Sequence, residues 1–531
     1  MMRYCLSIKN LKIKIVSILL LLFFSTGFSQ PLNVKINSTA VNSPNEPSIS
    51  INHMDTKDIV AGSNLNYFYR SKDGGRTWTS SILRSSLSVH GDPCVISDYS
   101  GNFYYFHLSS PPRSSIGSKI VCQKLKQGDS TWTDGSFMGL NQPKFQDKEW
   151  GIVDPLTDNI YVTWTQFDKY GSPDSNHFSN IMFSSSNDGG ETWSKAKSIN
   201  RIPGDCLDGD NTTEGAVPAV GPNGEIYVSW AGPAGLVFDR SKDRGKTWLK
   251  EDIFVSDFPA GWDLDIPGIN RCNGMPVTIC DISNSPYRGT IYINWSDQRN
   301  GTDDTDIWMA KSIDGGNTWS SPKRVNDDPP GRHQFFTWMA IDQTTGYLYI
   351  VFYDRRNYDD LQTDVYLAVS KNGGETFKNH KISWSPFTPN SGVFFGDYTN
   401  ISAHDKIVRP IWTRLNGGRL SLWTAIIDHN VNIDEYYAED VYLLNDIEII
   451  SVGPNPMRYS ALIKYRLPET GKFAVNVYDV NFNKVVTLYT GIKEAGTYDI
   501  LWRPKELPGG VYIVCFESGD IRIARKILYM K

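Results

Sequence analysis

Short apolar runs broken by polar turns repeat along this chain. The clearest set is Asn159-Ile-Tyr-Val-Thr-Trp164, Glu225-Ile-Tyr-Val-Ser-Trp230, Thr290-Ile-Tyr-Ile-Asn-Trp295 and Tyr347-Leu-Tyr-Ile-Val-Phe352. Each is rich in β-branched and aromatic residues and too short for a helix, so each predicts a strand. Weaker copies are Asp58-Ile-Val-Ala61, Asn102-Phe-Tyr-Tyr-Phe106 and Lys406-Ile-Val-Arg-Pro-Ile-Trp412. A further strand precedes each run, beginning near Glu46, Asp92, Glu149, Gly215, Met275, Thr337 and Gly396. Units recurring at roughly 45–65 residues, each able to form one four-stranded antiparallel sheet, predict an all-β propeller. The count favours seven blades, with six as the alternative.

A second repeat follows the third strand of several units. Ser312-Ile313-Asp314-Gly315-Gly316-Asn317-Thr318-Trp319 recurs around Asp73, Asp188 and Asp243, and with Asn372 in place of Asp. Asp and Ser side chains can bond the backbone N–H groups of their own turn, Gly supplies positive φ, and Trp packs the turn down. The pattern Ser-x-Asp-x-Gly-x-Thr-Trp resembles the Asp-box, or BNR repeat, of sialidase-like β-propellers. The resemblance covers about residues 40–430 and implies a propeller over 31–433. It also implies a structural role for Asp73, Asp188, Asp243 and Asp314. Two departures stand against authentic exo-sialidase activity. The only Arg-Ile-Pro, Arg201-Ile202-Pro203, follows the third repeat instead of preceding the first, and no Tyr–Glu pair can be assigned.

Both ends differ from this middle. Arg3, Lys9, Lys12 and Lys14 precede an apolar run from Ile15 to Phe24, which is too short to span a bilayer. Residues 1–30 therefore predict a secretory signal peptide. Residues 434–446 read as a linker, and a compact strand series fills 447–531, predicting a small β-sandwich. Its order of Asn455-Pro456, Val477-Tyr478-Asp479, Ala495-Gly496-Thr497-Tyr498, Gly510-Val511-Tyr512 and a basic apolar tail resembles the C-terminal sorting domain of type IX secretion. That resemblance implies the type IX machinery as a partner and a secreted or cell-surface location, without a stable membrane span.

The net charge of −5 speaks against nucleic acid as a main partner. The cysteines left after the leader are scattered, with no Cys-x-x-Cys or His/Cys cluster to suggest zinc. No cofactor is expected. Calcium is left open at Asp205, Asp208 and Asp210, whose spacing does not match an EF-hand.

Propeller geometry puts the Asp-box turns on one face and the loops leading into each first strand on the other, where ligand sites form at the channel mouth. Asp147 and Glu149, in the densest charged approach to a first strand, are the candidate acids. His90 and His333 are candidate general bases by position, and Tyr398 is a partner for proton abstraction. Asp297 with Arg299, and Asp354 with Arg355 and Arg356, occupy equivalent loops. With Arg332 and Arg414 they either brace the loops or present forks to an anion. Three readings follow: a glycoside hydrolase on an acidic or sulfated extracellular glycan, a polysaccharide lyase using His and Tyr with Arg, or a non-catalytic glycan-binding or adhesion propeller.

Overall fold

The computed structural model describes residues 31–38, 43–110, 118–428 and 448–531, apart from 468–470, 480–482, 495, 505–506 and 519–520. The predicted leader and linker lie outside the described residues. All regular structure described is β, and among the described residues no helix is long and apolar enough to cross a membrane.

From 32 to 428 the strands form seven consecutive four-stranded antiparallel sheets. Their first strands are Ser48–Ile51, Cys94–Ser97, Phe145–Val153, Glu214–Val220, Val277–Cys280, Gln334–Asp342 and Asn400–His404. Each first strand touches those of the sheets before and after it, and Ser48–Ile51 touches Asn400–His404, so the circuit closes. The architecture is propeller-like.

The second strands are nearly continuous apolar runs because sheets pack on both of their faces. Their terminal aromatics, Phe106, Trp164, Trp230, Trp295, Phe352 and Trp412, are all almost fully buried. Each such ring removes roughly 150–250 Å² from water. Outer strands such as Thr79–Ile82 are polar and largely exposed.

The closure itself has no counterpart in the sequence pattern. The seventh sheet takes its outer strand from Leu32–Lys35 at the other end of the chain, in register from Leu32 opposite Ile426 to Lys35 opposite Trp423. Asn33 fastens it, donating to the Ile382 carbonyl at 2.7 Å and accepting from the Trp384 N–H at 3.0 Å.

The repeated turns bond as their residues allow. Asp314 accepts from the N–H groups of Asn317 and Thr318 and from the Thr318 hydroxyl, while the Ser312 hydroxyl donates to Asp314 and accepts from the Gly316 N–H. Asp73, Asp188 and Asp243 repeat the arrangement. Each turn is also tied to the sheet before it. Arg409 donates to the Gly74 carbonyl, Lys197 to Gly245, Arg240 to Gly315 and Lys311 to Gly373, and the Ser136 hydroxyl donates to Gly190.

Residues 448–531 form a three-stranded and a four-stranded sheet. They share one apolar cluster that includes Ile463, Tyr465, Val475, Val477, Trp502, Val514 and Phe516. The six described cysteines are all buried free thiols.

Candidate functional site

The first strands share a backbone device at their starts or in the turns just before them. Glu46, Asp92, Lys148 and Phe336 adopt φ near +50°, and Gly215 and Gly396 occupy the same region. In three sheets the ladder register slips here, between Asp147 and Trp150, Glu214 and Val217, and Phe335 and Trp338. Such bulges bend the strand and re-aim side chains. A left-handed non-glycine costs about 1–2 kcal/mol and persists only where its surroundings over-determine it. Two residues past the left-handed positions lie Trp150, Trp338 and Tyr398. Their rings pack together, Trp150 at 4.3 Å from Trp338 and 5.0 Å from Tyr398. A channel cavity of about 250 Å³ is lined by the two tryptophans together with Ser48, Cys94, Val217 and Val277.

Over this aromatic plug the approach loops and two longer loops converge. Seven carboxyl groups meet there: Glu46, Asp92, Asp147, Glu149, Asp208, Glu214 and Asp397. Two cations accompany them. Lys148 is 4% exposed and donates to Asp397 Oδ2 at 2.6 Å. Arg271 grips both Asp397 oxygens and donates to Asp208 Oδ2 at 3.0 Å. Asp208 also accepts from the Tyr170 hydroxyl at 2.5 Å and from Trp262 Nε1 at 3.1 Å.

The imbalance of charge divides the acids. Burial would raise Asp397, but Lys148 and Arg271 outweigh it and hold the carboxyl at about 2. Burial would likewise raise Asp208, which Lys148, Arg271 and the Tyr170 hydroxyl keep low. The other acids shift the opposite way. Burial, then Asp92 and Asp397, raises Glu46. Asp147 is raised by burial and by Asp92, against whose carboxyl it lies, despite Lys148. Glu149 is raised by burial and by Asp92, and neither of its oxygens has a hydrogen-bond partner. Glu214 is raised by burial and by Asp208, its nearest carboxyl, and no donor reaches its oxygens. Lys148 would be lowered by burial, but Asp397 and Asp147 keep it charged. The site thus sets carboxyls whose pKa is pushed down beside carboxyls whose pKa is pushed up, the condition for acid and base work in one place. Asp92, Tyr170, Asp208 and Arg271 are partly exposed and form its opening.

Of the sequence-predicted residues, Asp147, Glu149 and Tyr398 come together here. Burial, then Glu46 and Asp92, pushes the Tyr398 hydroxyl up, which opposes its use as a base. His90 lies in the approach loop of Asp92, its N–H bonded to the Leu108 carbonyl. His333 stands apart, Nδ1 3.1 Å from the Thr305 hydroxyl, and burial and Arg355 lower it to about 4.

The arginines are engaged elsewhere. Arg299 pairs with Asp297 and lies 4.7 Å over Trp308. Arg356 binds Asp354 at 2.8 Å and Asp327 at 2.5 Å, and burial raises Asp354 to about 6. Arg332 pairs with the exposed Asp359, and Arg414 donates to Ser385 and Pro386. Arg355 lies buried over Phe335, lowered by that burial to about 10. The five guanidinium groups therefore form no common anion-binding fork. Asp205, Asp208 and Asp210 turn to different partners, Asp205 to the Leu207 N–H and Thr212, and Asp210 to the N–H groups of Trp262 and Asp263. Among the described residues no group of three or more His, Cys, Asp or Glu is placed to hold a metal ion.

Arg271 escaped the sequence reading. It lies in the long loop between Ile253–Ser256 and Val277–Cys280, has no counterpart in other repeats, and finds Asp397 only across the closed circuit. The repeats place Glu46, Asp92, Glu214 and Asp397 on the same face as Asp147 and Glu149, but nothing in the sequence says which of them meet.

No family model and no curated protein matches this chain. Among solved structures it is similar to the NanB sialidase of Streptococcus pneumoniae, at 9% identity and TM-score 0.42, over 70% of this chain and 84% of that one. It is similar to an ulvan lyase bound to a GlcA(1-4)Rha3S oligosaccharide, at 13% identity and TM-score 0.46, over 74% and 96%. It is also similar to an α-L-arabinofuranosidase of Fusarium graminearum, at 14% identity and TM-score 0.44, over 64% and 98%. At these values the likenesses carry no functional inference of their own.

Proposed function

We propose that this chain is an exported seven-bladed propeller that hydrolyses glycosidic bonds at its acidic mouth, followed by a β-sandwich that acts as a type IX sorting domain. The seven consecutive sheets and their closed circuit support the blade count. The two C-terminal sheets around one core support the sandwich, and the sequence resemblances support export.

One observation carries the hydrolase reading: buried carboxyls shifted towards protonation stand beside carboxyls that cations shift towards ionisation. Glycoside hydrolysis needs one carboxyl to protonate the leaving oxygen and another to act as base or nucleophile. Asp147 and Glu149, raised by burial and by Asp92, are the proton donors in this reading. Asp208, at the partly exposed edge and kept low by Lys148 and Arg271, is the companion carboxylate. Lys148, Arg271 and Asp397 brace the loops that hold them.

The lyase reading has less support. Lyase chemistry beside a uronate calls for a cation at the substrate carboxylate, and the two cations of the mouth, Lys148 and Arg271, are paired with Asp397 and Asp208. Digestion of a glycan panel with mass analysis of products tests the proposal. Reducing ends without ultraviolet-absorbing unsaturated ends agree with hydrolysis; unsaturated ends would replace it with lyase chemistry. Binding without any turnover would leave a non-catalytic propeller.

A further inference from the structure

One side chain joins two of the approach loops. Asn64 lies between the second and third strands of the first sheet, Ile59–Ser63 and Tyr67–Ser71. Its backbone N–H donates to the Asn45 carbonyl at 3.0 Å, next to Glu46. The carbonyl of the following Leu65 accepts from the Gly91 N–H at 2.8 Å, next to Asp92. The Asn64 side chain spans the same gap. Its Nδ2 donates to Glu46 Oε2, and its Oδ1 accepts from the Asp92 N–H at 2.9 Å. A backbone N–H can only donate, so the amide sits one way round, with its NH2 towards Glu46. The seat is closed: a Cβ on Gly91 would stand 2.7 Å from Asn64 Oδ1. Asp92 has φ 51°, a conformation that a non-glycine residue keeps only where its neighbours fix it. From there its carboxyl reaches the third sheet. The Lys148 N–H lies 3.4 Å from Asp92 Oδ2 and 3.2 Å from Asp147 Oδ1, so one N–H gathers both carboxyls.

We propose that Asn64 is a positioning residue of the mouth: it fixes the Asp92 backbone, and through it keeps the Asp92 carboxyl against Asp147. The role rests on the hydrolase reading, in which Asp147 is a proton donor. Lys148, Asp92, Asp208, Glu214 and Tyr170 are the titratable groups facing Asp147. Asp92 is the one that Asn64 bonds. Burial raises Asp147 most, Lys148 opposes it, and Asp92 raises it further. A carboxyl pressed against another acid keeps its proton to higher pH. Released from Asn64, the partly exposed Asp92 turns towards solvent, and Asp147 ionises at lower pH.

The test is a pH titration of the full exported chain by infrared difference spectroscopy, without substrate. The carboxyl C=O band that disappears in Asp147→Asn assigns Asp147. In Asn64→Ala its midpoint should move to lower pH, in the same direction as in Asp92→Asn. The double variant should titrate as Asp92→Asn alone, because two changes acting through one carboxyl do not add. Asn64→Ser, the gentler change, should move the midpoint the same way. A folded Asn64→Ala with an unmoved midpoint would overturn the proposal, and so would additive shifts in the double variant. Unfolding of both Asn64 variants, read by circular dichroism, would make the residue structural and end the proposal likewise. Turnover of the glycan panel reads the other claim. Its alkaline limb should move with the infrared midpoint, whereas a merely structural residue would lower turnover equally at every pH. Turnover with an unmoved midpoint would sink this inference and leave the hydrolase reading standing. A moved midpoint in a chain that cleaves no glycan of the panel would do the reverse.

Discussion

Two aspartates on opposite faces of the same fold show how differently one side chain can be used. Asp314 sits in an exposed turn, where the Thr318 N–H and hydroxyl, Ser312 and the Asn317 N–H hold its carboxyl at about 2. Asp147 sits at the mouth, 6% exposed, and burial and Asp92 push it the other way. The first has donors supplied by its own next four residues. The second has acids supplied by other sheets. Local donors make an aspartate a structural brace, while burial and like charges from other sheets push its pKa up.

Breaking the mouth has the largest expected effect. Glu149→Gln or Asp147→Asn lowers glycan turnover by about 10²–10⁴-fold, the usual contribution of general acid–base catalysis. The folded state persists by circular dichroism. Asp314→Asn leaves turnover at the wild-type level. Loss of activity in Asp314→Asn with intact folding would erase the contrast between the faces.

The brace beneath the mouth comes next. Asp397→Ala strands Lys148 as a buried unpaired charge and lowers unfolding free energy by about 3–5 kcal/mol, measured by urea denaturation. Asp397→Ala with Lys148→Met recovers part of the loss, because no uncompensated charge remains. A double variant no better than the single one would mean the pair carries no coupling.

The pH dependence sharpens the same comparison. Asp239, fully buried with one carboxyl oxygen unpartnered, is raised by burial from 3.8 to about 7. Its folded pKa lies above the unfolded one, so the native state favours its protonated form. That stability is full below about pH 4 and is lost as pH rises towards 7. Thermal melts of Asp239→Asn should decline less than wild type across that window, and parallel curves would refute the assignment. Turnover falls as pH rises through the raised values of Asp147 and Glu149, since the donors then ionise.

The smallest effect belongs to the turns. Asp314→Ala removes hydrogen bonds that solvent largely replaces, and costs about 1 kcal/mol. A loss as large as that from Asp397→Ala would show that the turn is more than a local brace.

Much of this was legible in the chain. The strand runs ending in Trp164, Trp230, Trp295 and Phe352 announce sheets packed on both faces. The Ser-x-Asp turns could be read bond by bond, because donor and acceptor lie within four residues. Asp147, Glu149 and Tyr398 were recognisable as residues of the approach loops. Arg271 was not, nor the pairing of Leu32–Lys35 with the strand ending at Asp428, since both depend on partners far along the chain.

What the sequence determined by itself is therefore what short range controls: the strands, the turns, their periodicity and the face on which each loop lies. Only the tertiary structure decided which charges meet. Closing the circuit brings Glu46, Asp92, Asp147, Glu214 and Asp397 from five sheets to one opening and excludes water from most of them. Protonation depends on burial and on charges within a few ångströms, and neither is a property of any one stretch of chain. The Asp-box turns carry their chemistry locally; the mouth acquires its chemistry only when the ring is complete.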